Sequence, residues 1–121
     1  MTIILPIKSI YTQQILEGTK TYELRRSFPK QKISNILIYE TAPISRVVAN
    51  IKVEQLELNK QDFFDNHHKE IGVSKEEYNS YYHDKEIVCV YKIKSIQKLQ
   101  ESKKIEDFGY KFAPQNFYYI K

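Results

Sequence analysis

This chain of 121 residues carries 41% hydrophobic and 28% charged residues, the balance of an ordinary globular protein. Its length suits one domain, residues 1–121, and its composition excludes a disordered segment or a chain embedded in a membrane. The apolar N-terminus lacks the basic start of a signal peptide, so we expect a first strand there and a cytoplasmic protein.

The first predicted elements are a strand, a short helix and a second strand. Residues 2–7 are apolar enough for a strand, and the apolar positions that follow Ser9 suit a helix. Gly18 would end that helix in the left-handed conformation, and residues 19–26 return as a strand. Side chains just after Gly18 would therefore lie at a junction between a helix end and a strand.

Two further strands are predicted before the middle of the chain. A basic turn that contains Pro29 leads into residues 35–41, whose run Ile-Leu-Ile-Tyr is typical of a strand buried on both faces. Residues 46–58 alternate strictly between apolar and polar side chains. This alternation predicts a long strand with one face exposed to solvent.

The middle of the chain is predicted to be helical because it carries two N-cap patterns. Asn59 precedes Asp62 by three residues, and Ser74 precedes Glu77 by the same spacing. The side-chain oxygen at the first position of such a pair accepts from a backbone N–H group in the first turn of a helix. The two helices are expected at residues 60–69 and 75–83.

The second of these helices carries three tyrosines on one face. Tyr78, Tyr81 and Tyr82 follow the i, i+3, i+4 spacing of a helix, which favours packing in the core over a platform for stacking bases. Residues 86–99 and 116–120 are the last predicted strands. Five or six strands with two or three helices indicate an α+β fold, and strands this long in so short a chain favour a small β-barrel capped by the helices.

Positive charge is concentrated in residues 20–32. This stretch holds five basic residues and one acidic residue, so its net charge of +4 equals the net charge of the whole chain. A basic strand and turn is compatible with binding to the phosphates of a nucleic acid. The basic residues are Lys20, Arg25, Arg26, Lys30 and Lys32, and the acidic residue is Glu23.

Within this stretch, Lys20, Glu23 and Arg25 bring together an ammonium, a carboxylate and a guanidinium group. The two cations could bind a phosphate or a base carbonyl, and Glu23 could accept from an exocyclic amine or act as a general base. The same spacing also fits an exposed strand whose ion pairs have no function. The spacing alone slightly favours the second interpretation, ion pairs without a function.

Neither a metal site nor a cofactor site is expected. His67 and His68 are adjacent, so their side chains would diverge by about 100° on a helix, and His83 is distant in the sequence. The chain has three glycines, and they do not form a phosphate-binding loop. Cys89, the single cysteine, lies in an apolar run that predicts a buried and unreactive thiol.

The run Ile-Leu-Glu-Gly-Thr-Lys-Thr-Tyr-Glu-Leu-Arg-Arg, residues 15–26, resembles the signature of the ASCH domains, which belong to the PUA-like superfamily of small β-barrels. The segment Ala-Pro-Gln at residues 113–115 is the second specific match, and looser patterns extend the resemblance along nearly the whole chain. The resemblance implies a pseudobarrel with a cleft beside the first helix, and a role in binding RNA.

The first hypothesis is therefore a binding module for RNA or a nucleotide. In it, the basic strand and turn contact phosphates, and a cleft beside the first helix receives a nucleotide or base. Whether the partner is DNA or RNA stays open. An acidic protein that binds the basic stretch is a further alternative. The predicted binding residues are Lys20, Glu23, Arg25, Arg26, Lys30, Tyr39 and Gln115.

The second hypothesis is a small hydrolase. The resemblance includes a branch of amidohydrolases that act on 4-acetylcytidine through a Lys, a Thr three positions later and a Glu ahead of a later helix. Lys20 matches the Lys, Glu23 stands where that branch has Thr, and Glu70 maps loosely onto the Glu. Another branch cleaves RNA, and Lys20, Glu23 and Arg25 could support such cleavage without a metal. The candidate catalytic residues are Lys20, Glu23 and Glu70.

Overall fold

In a computed structural model that describes residues 1–120, the chain forms one six-stranded sheet with three α-helices. This architecture confirms the α+β prediction. None of the helices within those residues is long and apolar enough to cross a membrane. The strands are β1 Thr2–Ile7, β2 Tyr22–Arg25, β3 Asn35–Glu40, β4 Arg46–Asn59, β5 Ile87–Lys103 and β6 Tyr118–Ile120, and the helices are α1 Ser9–Glu17, α2 Lys60–His67 and α3 Lys75–Tyr81, with 3-10 turns at His68–Glu70 and Ile105–Phe108.

The sheet is mixed, with the strand order β2-β5-β4-β3-β1-β6. Strands β1 and β3 run parallel, joined by α1 and β2, and the other neighbouring strands are antiparallel. The long strands β4 and β5 form the central pair, whose register runs from Asn59 opposite Ile87 to Val47 opposite Lys103. This pairing explains why β5 extends beyond its predicted end at residue 99.

The strand predicted at residues 19–26 is shorter than expected. Thr19 and Lys20 donate their backbone N–H groups to the carbonyl of Gln14, and Thr21 donates to the carbonyl of Glu70. These donors are therefore unavailable to a neighbouring strand, and β2 begins at Tyr22. The result is a tight connection that fixes the position of Lys20 relative to α1.

The predicted end of α1 and the predicted starts of α2 and α3 are confirmed, whereas α2 and α3 each end two residues earlier than predicted. Gly18 ends α1 with a φ of 85°, the left-handed conformation that suits glycine. The side chain of Asn59 accepts from the backbone N–H of Asp62 at the start of α2. Ser74 and Glu77 form a complete capping box at the start of α3, each side chain bonded to the other residue's backbone N–H.

Two of the three tyrosines predicted on one helix face pack in the core, one within α3 and one directly after it. Tyr78 and Tyr82 are buried against α2, β2 and β5, and burial raises the pKa of Tyr78 to about 12. The Tyr82 hydroxyl donates to the carbonyls of Arg25 and Cys89, at 3.0 Å each. Tyr81 differs, because 38% of its surface is exposed and it lines a surface cavity.

The sheet curls like a barrel but does not close. Its edges are β2 and β6, and within residues 1–120 these strands form no ladder with each other. The edge of β2 approaches β1 closely enough for Arg25 Nη2 to donate to the carbonyl of Pro6 at 2.9 Å. A side chain, and no row of backbone hydrogen bonds, thus links edge strand β2 to β1, the neighbour of the other edge strand.

Candidate ligand-binding cleft

A cavity of about 350 Å³ opens between the first turn of α1, strand β2 and helix α3. It lies beside the first helix, at the gap where the sheet fails to close. Its floor contains Lys20, Glu23 and Arg25, and its walls include Tyr11 from α1 and Tyr81 from α3. We refer to this cavity as the cleft.

Lys20 is a buried ammonium at the base of the cleft. Only 3% of its surface is exposed, and its Nζ donates to the carbonyl of Ile71 at 2.5 Å. The same nitrogen lies 3.8 Å from Glu23 Oε1 and 5.2 Å from the centre of the Tyr11 ring. The cation is thus satisfied by a carbonyl, a carboxylate and the face of a ring.

Burial lowers the pKa of Lys20, because the charged form loses hydration. The carboxylate of Glu23 opposes this shift, and the guanidinium of Arg25 adds to it. Lys20 therefore loses its proton at a lower pH than an exposed lysine does. Such a group can donate to a ligand when charged and accept a proton when neutral.

Glu23 connects the two cations. It is 7% exposed, and its Oε2 accepts from Arg25 Nε at 3.2 Å and lies 3.0 Å from Arg25 Nη2. Alternation along β2 directs Glu23 and Arg25 to the same face of the strand, two residues apart. The three charges predicted from the sequence therefore form one cluster, as a functional site requires, and do not form separate surface ion pairs.

Two glycine-dependent turns hold Lys20 in place. Gly18 allows the chain to reverse after α1, so that Lys20 returns toward the helix. Gly72 has a φ of 75°, and a Cβ there would lie 2.3 Å from Gln14 Oε1 and 3.2 Å from Lys20 Cδ. The loop before α3 thus passes directly against the Lys20 side chain, which brings the carbonyl of Ile71 within reach of its ammonium.

The cleft contains polar and aromatic groups that the sequence did not reveal. Tyr11, Tyr81, Glu77 and Lys8 line it, and burial raises the pKa of both tyrosine hydroxyls. Hydrogen bonds from Ser74 lower the pKa of Glu77, so this carboxylate stays ionised near the opening. The helical spacing places Tyr81 on the same face as Tyr78 and Tyr82, and this position predicted that Tyr81 is buried. Nothing in the sequence indicates that Tyr11 faces Lys20.

Four predicted binding residues lie outside the cleft. Arg26 donates to the carbonyl of Tyr81 and pairs with Asp84, with Nη2 2.6 Å from Oδ1. Tyr39 is buried in a separate hydrophobic cluster with Ile4, Val47 and Ile105, on the other side of β1 and β3. The other two, Lys30 and Gln115, are exposed residues in the loops before β3 and before β6.

Glu70 also lies outside the cleft, in the 3-10 turn after α2. Its Oε2 accepts from the Thr21 hydroxyl at 2.7 Å, and its Oε1 lies 3.1 Å from His67 Nδ1. Both contacts lower the pKa of the Glu70 carboxyl. Glu70, the carboxylate suggested for hydrolysis, therefore binds the Thr21 hydroxyl outside the cleft, and this contact fastens the turn to the residue before β2.

Comparison with known protein families gives a match along most of the chain. The model of a family described as the ASCH domain matches residues 5–112. The crystal structure of ASCH from Zymomonas mobilis has a TM-score of 0.85 and 19% sequence identity, and the match covers 99% of this chain and 87% of that chain. Two point-mutant forms of that protein give the same TM-score at 18% identity, with 90% and 88% of those chains covered. At these identities the likeness extends to the fold alone.

Two curated proteins of Ureaplasma parvum serovar 3 contain a similar segment. ATP synthase subunit alpha is 23% identical over 122 residues, and the match covers 99% of this chain but 15% of that protein. Large ribosomal subunit protein uL22 is 26% identical over 97 residues, which are 79% of this chain and 31% of that protein. This chain thus spans less than a third of the length of either relative.

Proposed function

This chain belongs to the ASCH domain family, and we propose that it binds RNA by receiving a single nucleobase in the cleft. The observation that carries the proposal is the cluster of buried Lys20 and Glu23 with partly buried Arg25 at the base of an open cavity. Burying charged groups such as Lys20 and Glu23 costs free energy, and a hydrophobic replacement would often be more stable. Charges kept in such a place are typical of a binding or catalytic site.

The chemistry of the cleft suits a nucleobase. Its volume of about 350 Å³ is within the range of sites for small organic ligands. Lys20 and Arg25 supply donors for a base carbonyl, and Glu23 supplies an acceptor for an exocyclic amine or a ring N–H. The rings of Tyr11 and Tyr81 offer faces on which a base could stack.

Phosphates of the bound strand are expected near the exposed cations around the cleft. Lys8 lines the opening, and Lys30 lies in the loop that follows β2. Arg26 has its guanidinium occupied by Asp84, so we expect a smaller contribution from it. Contacts of this kind position the strand without reading its sequence.

The test is fluorescence anisotropy with a labelled, mixed-sequence RNA at several salt concentrations. We expect Lys8→Glu to weaken binding of all sequences and reduce its salt dependence, because a phosphate contact is lost. Glu23→Gln should instead change which base is preferred, because an acceptor is exchanged for an amide. Lys75→Glu, a charge reversal at the exposed start of α3, is the control. If Lys8→Glu and Glu23→Gln both bind RNA as the wild type does, the cleft is excluded as the binding site.

Hydrolysis is a second candidate, favoured by the effect of burial on Lys20. A lysine whose pKa is lowered can take a proton from an attacking water at a lower pH than an exposed lysine can, while Arg25 orients the substrate. Incubation with 4-acetylcytidine or a short RNA, followed by mass spectrometry, tests this role. Hydrolysis is supported if the wild type changes the mass of a substrate and Lys20→Ala does not, provided that circular dichroism shows that the variant is folded. The absence of any mass change for both substrates would exclude it.

A further inference from the structure

A second cavity, of about 220 Å³, lies on the other side of Arg25 from the cleft. It is bounded by β1, by the loop that follows β2, by β5 and by the segment before β6. Three aromatic rings, Phe28, Tyr91 and Phe117, contribute to its walls. Neither the sequence patterns nor the cluster around Lys20 assigns a role to this cavity.

The walls of the second cavity combine rings with positive charge. Its charged lining residues, among those that the structure describes, are Arg25 and Lys30, and no carboxylate lines it. Aromatic faces beside cations suit a nucleobase and its phosphate. The cleft, by contrast, contains two carboxylates.

The rings around the second cavity are held by specific contacts. The ring centres of Phe28 and Tyr91 are 5.1 Å apart, and those of Phe117 and Tyr119 are also 5.1 Å apart, edge to face. The hydroxyl of Tyr119 accepts from the backbone N–H of Gln31 at 3.2 Å, which ties the loop after β2 to the last strand. Tyr91 is 1% exposed and supports Phe28, so the stacking surfaces are the partly exposed rings of Phe28 and Phe117, which are positioned before any ligand binds.

Arg25 lies between the two cavities and lines both. Its Nε and Nη2 are occupied by Glu23 and by the carbonyl of Pro6. Within the described residues, no acceptor lies within hydrogen-bond distance of Arg25 Nη1. The Arg25 side chain is 22% exposed. An arginine with free donors between two base-sized cavities is positioned for the phosphodiester that joins two nucleosides.

We propose that the second cavity binds the nucleoside next to the one in the cleft, with Arg25 contacting the phosphate between them. The chain then recognises a dinucleotide step of a single RNA strand. This inference rests on the proposed function, because it assigns the neighbouring position of the same ligand.

The test compares mixed ribodinucleoside monophosphates with mixed 5′-mononucleotides in titrations followed by NMR chemical shifts. We expect the wild-type protein to bind the dinucleotides at least about tenfold more tightly. Phe117→Ala should weaken dinucleotide binding about fivefold or more, since it removes a stacking face, and leave mononucleotide binding unchanged. Phe112→Ala, at a ring that is 77% exposed and lines neither cavity, is the matched control.

A second pair of variants avoids the partly buried ring. Lys30→Ala should weaken dinucleotide binding, and Lys32→Ala should not, because both lysines are exposed but only Lys30 lines the cavity. If mononucleotides bind and respond to Glu23→Gln, while Phe117→Ala and Lys30→Ala bind dinucleotides as wild type does, the second subsite is wrong and the cleft stands. If neither class of ligand binds, both proposals fail.

Discussion

At the scale of single residues, Lys20 is the side chain with the most unusual surroundings. A lysine is rarely buried, and here the ammonium is retained by one carbonyl and one carboxylate. The cost of burial appears as a lowered pKa, which means that the folded protein holds this proton less tightly than the unfolded chain does. Stability and ligand binding should therefore both depend on the protonation of Lys20.

The pH dependence of stability provides a test of this residue. Between the lowered pKa of Lys20 and its ordinary value near 10.5, the unfolded chain binds the proton and the folded chain does not. Stability contributed by this group therefore rises with pH in that window. The difference in unfolding free energy between wild type and Lys20→Met, measured with urea from pH 7 to pH 10, should increase with pH.

The comparison of two proteins that differ only at Lys20 cancels the titration of other groups. Lys75→Met, at an exposed lysine, controls for the loss of a lysine as such. A difference that stays constant or decreases with pH would contradict the inferred direction of the Lys20 pKa.

At the scale of elements, α3 joins the core to the cleft. One face of this seven-residue helix buries Tyr78, and the residue after it, Tyr82, is buried as well. Tyr81 and Glu77 contribute to the wall of the cleft. So short a helix has little stability of its own, and its N-terminal cap matters correspondingly more.

The cap of α3 gives a prediction for stability. Ser74→Ala removes the oxygen that accepts from the backbone N–H of Glu77 at 3.1 Å. We expect a loss of about 1 kcal/mol in the free energy of unfolding, measured by urea denaturation. Ser80→Ala, at an exposed serine of the same helix, is the control and should have a smaller effect. Equal losses for the two variants would show that the capping box does not stabilise α3.

At the scale of the whole molecule, both candidate subsites lie along the open seam between β2 and β1. Residues of β1 and β2 line both the cleft and the second cavity. The Arg25 side chain spans the seam at one point, between the two cavities. The same residue thus supports the fold and faces both candidate subsites.

The role of Arg25 in closing the seam can be measured separately from ligand binding. Arg25→Lys keeps the charge but cannot reach Glu23 and the carbonyl of Pro6 with the same planar geometry. We expect a loss of about 1–3 kcal/mol in the free energy of unfolding, determined by urea denaturation without ligand. Arg26→Lys, at an exposed ion pair with Asp84, should lose less. The reverse order would mean that Arg25 does not hold the seam.

Local patterns were sufficient to predict most elements of the fold. The N-cap pairs at Asn59 and Ser74, the terminating Gly18 and the alternation in β4 each act within a few residues, so the sequence displays them directly. The cluster of Lys20, Glu23 and Arg25 was also visible, because its members lie within six residues on one turn and one strand.

What only the tertiary structure decided is which distant groups meet this cluster. The carbonyl of Ile71 and the ring of Tyr11 reach Lys20 through the packing of α1 and of the loop before α3. The assignment of Tyr39 to a separate cluster depends on which face of the sheet each strand presents. Such contacts depend on how the sheet curls, a property of all its strands together, whereas caps, turns and alternation depend on neighbours in the chain.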